Sequence, residues 1–115
     1  MLKTIVIALL TGAVGAASQA PPVAPAGNVE NGKKLFTTYY CYACHGYAAQ
    51  GGRAGPRIGP RPIAYPAFVR YLRQPTGLMP LYTGKVMSDQ EVADVHAFLR
   101  SLPAPPPFKS IPLLN

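Results

Sequence analysis

Acidic residues are scarce in this chain of 115 residues, which has four Asp and Glu against eleven Lys and Arg and a formal charge of +7. Charged residues make up 13% of the chain, about half the usual share. Tryptophan is absent, and two cysteines are too few for a disulfide scaffold or an all-cysteine zinc site. The length allows a single domain, which excludes a multidomain enzyme and a long helical bundle.

Hydrophobic residues, by contrast, make up 49% of the chain, which excludes a disordered polyelectrolyte. The 14 prolines and 11 glycines both exceed their usual shares, so we expect much of the backbone to be irregular. A small domain with so much irregular backbone gains from a large cofactor at its centre. No alternating strand pattern and no internal repeat is found.

The N-terminal segment predicts a secretory signal peptide at residues 1–20. Lys3 provides a positive start, residues 4–17 are uncharged and mostly apolar, and small residues precede cleavage after Ala20, with cleavage after Ala17 as the weaker alternative. An uncleaved anchor is the other interpretation, but about 14 apolar residues are short for a ~30 Å hydrocarbon core. The sequence therefore predicts a periplasmic protein of about 95 residues; without Lys3, its charge falls from +7 to +6.

The rest of the chain divides into a flexible lead-in at 21–27, a folded domain at 28–103 and a Pro-rich extended tail at 104–115. Helix signals are clear inside the domain: Asn28 is a good N-cap, and Ser88 with Glu91 forms a capping box. Gly32 lies inside the first helix, which indicates a close helix–helix contact or simple tolerance of a glycine. The predicted helices span about 29–40, 64–74 and 89–102.

The segment Cys41-Tyr42-Ala43-Cys44-His45 has the attachment signature of c-type haem. Two sulfurs one helical turn apart can form thioethers with the two vinyl groups of a haem, and the following His can bind the iron. The alternatives are a thioredoxin-like dithiol, which needs a βαβ context, and zinc, for which only His96 remains as a fourth ligand. An accidental match is the third alternative.

With these residues the chain resembles a small class I cytochrome c. The resemblance implies an all-α cytochrome c fold of three or so main helices around one covalent haem c. The first and last helices of that fold cross, which would place Gly32 opposite Val95 and Phe98. The resemblance rests on Gly32, Phe36, Cys41, Cys44, His45, Gly46, Gly55, Pro56, Met79, Pro80, Val95 and Phe98.

The resemblance also implies His45 and Met79 as the two axial ligands of the iron. Met87, His96 or no second ligand are the alternatives, although Met87 has a sufficient role as a hydrophobic staple at the last helix. Thioether plus imidazole ligation raises the reduction potential and leaves no open position on the iron.

Further haem contacts are expected around these ligands. In the family, the backbone carbonyl at Pro56 often accepts the second imidazole proton of the ligating His, which fixes the ring; a loop proline without this role is the alternative. Side chains that could bond the haem propionates are Arg57, Arg61, Arg73, Tyr65 and Tyr71.

The predicted function is that of a single-electron carrier, not an enzyme, although it is compatible with a cytochrome subunit of an oxidoreductase. The resemblance includes cytochrome subunits of periplasmic dehydrogenases, so we expect electrons to arrive from such an enzyme and to leave to a respiratory chain. The alternative is a small peroxidase-like haem enzyme or ligand sensor with an open iron, which Met79 ligation would exclude.

The protein has a net positive charge and is expected to be exported, where nucleic acid is not an expected partner. The charge therefore favours an acidic patch on a redox enzyme as the partner surface. A membrane is expected only through respiratory-chain partners. The apolar residues of the tail could either pack on the haem domain or dock in a partner groove. The basic residues expected near the haem edge are Lys33, Lys34, Arg53, Arg57 and Arg61.

Overall fold

The computed structural model describes residues 23–114, which form α-helices and short 3₁₀ turns without any strand. The predicted all-α fold is therefore confirmed, whereas the predicted signal peptide at 1–20 lies outside the described residues. Within 23–114, no helix is both long enough and apolar enough to cross a membrane. The elements are α1 (Val29–Thr38), α2 (Cys41–His45), α3 (Tyr65–Arg73), α4 (Asp89–Ser101) and the turns Phe108–Ser110 and Pro112–Leu114.

The helix starts follow the local sequence signals. The Asn28 side chain accepts a hydrogen bond from the backbone N–H of Asn31 at 2.9 Å, as expected of an N-cap. The capping box of α4 is complete, because Ser88 Oγ accepts from the Glu91 N–H at 3.3 Å and the Glu91 carboxylate accepts from the Ser88 N–H at 2.7 Å. Both predicted starts are confirmed.

Helices α1 and α4 cross at Gly32. A Cβ atom at this position would collide with the backbone carbonyl of Asp94 and lie 2.9 Å from Cβ of Phe98. Only glycine allows this approach, so the predicted close helix contact is confirmed. Beside the crossing, the rings of Phe36 and Phe98 pack with their centroids 5.4 Å apart.

The hydrophobic core lies where α1, α3 and α4 meet. Phe36, Met87, Val92 and Leu99 are each no more than 2% exposed. Met87 and Val92 occupy the two staple positions of α4, so their burial fixes the entry of the chain into that helix. Other members of the core are Ala49, Tyr65, Phe68, Leu72, Tyr82, Ala93, Val95 and Phe98.

The last residues of the segment 21–27, which the sequence predicts to be a flexible lead-in, lie against α4, whereas Pro21 and Pro22 lie outside the described range. The Ala26 carbonyl accepts a hydrogen bond from Gln90 Nε2 at 2.8 Å. Gly27 lies so close to α4 that a Cβ atom would be 2.6 Å from Cβ of Ala97. The absence of a side chain at Gly27 is what allows this segment to lie so close to α4.

The predicted extended tail at 104–115 differs from the structure at its two 3₁₀ turns. Proline prevents a long helix but is compatible with a first helical position, and Pro107 and Pro112 stand at the starts of these turns. In the part of the chain that the structure describes, the two turns contact each other but none of the four α-helices. The two turns of the tail therefore do not pack on any of the four α-helices among the described residues.

Candidate functional site

The short helix α2 presents the two cysteines. Tyr40 adopts a left-handed conformation, with φ of 58°, which ends the preceding helical segment and starts a new helix at Cys41. This break explains why the predicted first helix, expected to reach residue 40, ends at Thr38. Cys41 and Cys44 are half-buried free thiols on successive turns of the backbone, and both line one large cavity.

The His45 side chain is buried and held by one hydrogen bond. Its Nδ1 lies 2.7 Å from the carbonyl oxygen of Pro56. Because a carbonyl only accepts, Nδ1 carries the proton and donates it, which leaves the lone pair on Nε2. The contact with the Pro56 carbonyl that the resemblance implied is confirmed. A neutral imidazole fixed in this way is prepared to bind a metal ion through Nε2.

The loop that carries Pro56 passes directly over the imidazole. A Cβ atom at Gly55 would lie 3.1 Å from both Cε1 and Nδ1 of His45 and from the carbonyl oxygen of Cys44. Glycine therefore allows the loop to come close enough for the Pro56 carbonyl to reach the ring.

The cavity beside α2 has a volume of about 550 Å³. That is within the range of protein sites that bury a bound organic molecule, about 300–1,000 Å³. Cys41, Cys44, His45 and Met79 all line it, so the structure brings the four predicted site residues together. Core residues complete its walls, among them Phe36, Phe68, Leu72, Tyr82 and Val95.

Both candidate methionines line this cavity. Met87 is 1% exposed and is part of the core at the start of α4. Met79 is half-buried on the irregular segment between α3 and α4, where it packs against the edge of the core. Met79 therefore contributes less to the packing of the core than Met87 does, so its sulfur is the more available of the two for the iron.

The environment of the cysteines differs from that of a redox-active dithiol. Burial raises the pKa of the Cys41 thiol to about 11. Thioredoxin-like dithiols have the opposite shift, toward a thiolate at neutral pH. No βαβ unit accompanies the motif in the described residues.

His96, the remaining candidate ligand, lies elsewhere. It is buried on α4, its Nε2 donates to the carbonyl oxygen of Ile63 at 2.9 Å, and its ring packs edge-on against Tyr65 and Phe68. The cavity beside α2 does not include it. The zinc interpretation is therefore wrong, because the fourth ligand that it requires is not near the Cys41 and Cys44 pair.

The side chains proposed for the haem propionates fall into two groups. Arg57, Arg61 and Tyr71 line the cavity. Arg73 instead donates to the Asp89 carboxylate at 2.7 Å and to the Tyr82 carbonyl at 2.7 Å. Tyr65, which does not line this cavity, donates to the Asp89 carbonyl at 2.9 Å, so these two residues have structural roles. Of the five basic residues expected near the haem edge, only Arg57 and Arg61 line the cavity.

Tyr82 is a wall residue that sequence reasoning missed. Its side chain is 9% exposed, its hydroxyl donates to the Tyr39 carbonyl at 3.0 Å, and its ring meets that of Tyr39 edge-on. Burial, with a smaller contribution from Cys41 and Cys44, raises the pKa of Tyr82, so it remains a neutral donor. No periodic pattern marks it, because it lies in an irregular segment next to the exposed Leu81.

These residues fit a haem c. The cavity is walled mainly by apolar side chains, two unpaired thiols stand on successive turns of its edge, and an oriented imidazole has an available Nε2. The carbonyl that fixes the imidazole comes from the loop that also carries two of the cavity arginines.

The family model of the cbb3-type cytochrome c oxidase subunit III matches residues 27–99. The match covers well over half of the chain, which therefore belongs to this family of class I c-type cytochrome domains. Searches of curated proteins and of solved structures returned no match. Membership establishes haem c as the cofactor, electron transfer as the broad function and redox proteins as the kind of partner, and Cys41 and Cys44 have the spacing for covalent attachment.

Proposed function

We propose that this cytochrome domain is a single-electron carrier in which Cys41 and Cys44 bind one haem c through thioethers and His45 and Met79 are the axial ligands. The observation that carries the proposal is the placement of all four side chains around one cavity. When bound, the haem supplies an iron that changes its oxidation state by one electron.

The residues of the chain then orient and enclose the cofactor. The Pro56 carbonyl holds the imidazole of His45 with Nε2 available, which fixes the orientation and the basicity of that ligand. The apolar walls would exclude water from the part of the haem that they cover. With Met79 as the second ligand, the iron would keep no free position for a substrate, which would favour electron transfer over catalysis at the iron.

The sequence supports export through a signal peptide at 1–20 and a haem domain at 28–103, so we place the protein in the periplasm. We propose a periplasmic dehydrogenase as the electron donor and a respiratory chain as the acceptor. The charge distribution supports an acidic docking patch on the donor. Three of the four carboxylates, those of Asp89, Glu91 and Asp94, are engaged in contacts within the chain, whereas Arg57 and Arg61 are exposed at the cavity.

The assignment of the methionine ligand is tested by comparing Met79→Leu with Met87→Leu. Both changes conserve side-chain volume, so the fold should tolerate both. The oxidised wild-type protein should show the weak near-infrared band of sulfur bound to ferric haem. We expect Met79→Leu to abolish the band and Met87→Leu to preserve it. Loss of the band in Met87→Leu alone would overturn the assignment.

The partner proposal is tested by the salt dependence of the electron-transfer rate with the native donor. Exposed charges are screened beyond about 8 Å at physiological ionic strength, so the bimolecular rate should fall as salt is added. Arg57→Gln should weaken this dependence more than Arg70→Gln, because Arg70 is exposed on α3 and does not line the cavity. A rate that does not change with salt would contradict docking by charge.

A further inference from the structure

A second cavity, of about 430 Å³, lies between α4 and the segment that precedes α3. His96 and Arg100 line it from α4, and Arg61 lines it from the opposite segment. None of the proposed haem ligands is part of it. The remaining lining residues are small or apolar apart from one tyrosine: Ala24, Pro60, Pro62, Ala64 and Tyr65.

The charge of this cavity is entirely positive among the described residues that line it. Arg61 and Arg100 are exposed, and in the described part of the chain neither forms an ion pair or a hydrogen bond. Asp89 contacts a wall residue through its backbone carbonyl, which accepts a hydrogen bond from the Tyr65 hydroxyl. Its carboxylate is already bound by Arg73 at 2.7 Å. Two arginine side chains therefore line one space without a compensating carboxylate from the other lining residues.

Besides the two exposed arginines, the cavity has a buried polar side chain in its wall, the imidazole of His96. The ring is 8% exposed and is fixed on three sides by the Ile63 carbonyl, Tyr65 and Phe68. Because Nε2 is used as the donor to Ile63, the other ring nitrogen, Nδ1, has the lone pair in this tautomer and can accept a hydrogen bond from a protonated phosphate oxygen; it has no hydrogen-bond partner among residues 23–114. A fixed polar ring thus lies in the same wall as Arg100, one helical turn away on α4.

We propose that this cavity binds a small oxyanion of the phosphate class, held by Arg61 and Arg100 with His96 in the wall between them. Guanidinium groups bind the oxygens of phosphate through paired charge-assisted hydrogen bonds, which are about twice as strong as neutral ones. The ligand would link α4 to the segment before α3. The site contains none of the proposed iron ligands, since it has no cysteine and no methionine, but it shares Arg61 with the haem cavity.

Calorimetric titration of the haem-loaded protein with inorganic phosphate tests the proposal. Ionic strength is held constant with chloride, so that general screening does not change. We expect saturable binding of one phosphate, and about tenfold or greater weakening in Arg100→Gln, because a charge-assisted hydrogen bond is lost. Arg70→Gln is the matched control: it removes one exposed arginine from α3 and should leave the affinity unchanged.

The NMR resonances of the His96 ring give a second measurement of binding, independent of calorimetry. Phosphate should shift the ring resonances of His96 in the wild-type protein and in Arg70→Gln, but far less in Arg100→Gln. Equal binding in the wild-type protein, Arg100→Gln and Arg70→Gln would show attraction by net charge alone and would overturn the proposal. An absence of saturable binding to any of the phosphate probes would also overturn it.

The same phosphate chemistry could come from a free anion or from a lipid headgroup. Flotation with phosphatidylglycerol vesicles, compared with phosphatidylcholine vesicles, separates the two sources. Binding to inorganic phosphate that depends on Arg100 identifies a free anion. Vesicle binding that depends on Arg100, without binding of inorganic phosphate, identifies a headgroup. Either result supports the site, and neither depends on whether Met79 is the iron ligand.

Discussion

The crossing of α1 and α4 and the irregular segments around the cavity are stabilised in different ways. At the crossing, regular helices bury apolar side chains directly against each other, with Gly32 allowing close approach. Around the cavity, isolated backbone hydrogen bonds hold the loops. The Ala49 carbonyl, for example, accepts from both Ile58 and Gly59, and the Leu72 carbonyl accepts from Tyr82.

The crossing is therefore stabilised by contacts within the polypeptide, whereas we expect the loops around the cavity to be stabilised mainly by contacts with the cofactor. Packing at the crossing is complete within the polypeptide, because its buried polar group, Asp94, is fully bonded to neighbouring residues. The loops instead surround a cavity of about 550 Å³, whose apolar walls include Phe36 and Val95 of the core itself. We therefore expect haem to form part of the core, in contact with the apolar walls of this cavity.

The largest expected effect comes from removing both attachment sites. Cys41→Ser combined with Cys44→Ser should yield little folded protein after export, since ligand binding to the native state is lost as a source of folding free energy. Helical circular dichroism and a thermal melt measure the outcome. Ala48→Ser, an exposed change in the same segment, is the control. A haem-free double variant with native helicity and a sharp melt would contradict the comparison.

The next largest effect is expected at the helix crossing. Gly32→Ala places a methyl group against the Asp94 carbonyl and Phe98, so it should destabilise the haem-loaded protein by roughly 2 kcal/mol despite the better helix propensity of alanine. Gly52→Ala is the control in the loops, where the nearest atom to a new Cβ is 3.9 Å away. Chemical denaturation measures both. Equal effects of the two changes would mean that the crossing is not tightly packed.

Asp94 makes the stability of the folded protein depend on pH. Burial opposes its ionisation, but hydrogen bonds from the Asn28 backbone, Asn31 and Gln90 outweigh burial and lower the pKa of this carboxyl. A lowered pKa in the folded state stabilises the fold above the unfolded value of about 3.9, and this contribution is lost as the pH falls through the folded value.

Asp94→Asn should therefore cost about 1–3 kcal/mol at pH 7, because one acceptor oxygen becomes a donor that faces other donors. The difference from wild type should shrink below about pH 4. Denaturation at pH 7 and at pH 3 measures it, with Glu30→Gln, an exposed change in the first turn of α1, as the control. A difference that grows in acid would reverse the assigned sign.

The smallest effect on the fold is expected at the tail. Phe108, Leu113 and Leu114 are mostly exposed, and the two turns that carry them do not contact the α-helices. Truncation after Pro103 should leave the visible spectrum and the melting temperature unchanged. If the tail docks in a partner groove, the same truncation should weaken binding of the native donor. A clear loss of thermal stability would instead assign the tail to the haem domain.

The sequence was informative where the signal is local. The capping box of Ser88 and Glu91 and the spacing of Cys41 and Cys44 each lie within a few residues of chain, whereas the left-handed Tyr40 that ends the first helix early was not predicted. The hydrogen bond between His45 and the Pro56 carbonyl spans eleven residues, and it was predicted only because the family often has such a bond at this place.

Contacts over longer separations were not predictable. Asp94 bonds to Asn31 across 63 positions, and Arg73 pairs with Asp89 across 16. Each of these side chains looks solvent-facing in its own segment, and only the crossing of the helices gives it a partner. For the same reason, the sequence did not show that Tyr82 lines the cavity.

The central claim is that His45 and Met79 both bind the iron, as we propose for this electron carrier. The most direct test is addition of carbon monoxide to the reduced wild-type protein, followed by its visible spectrum. With His45 and Met79 bound, we predict an unchanged spectrum. A stoichiometric carbon monoxide complex would contradict the claim and favour an open iron that binds ligands or substrate.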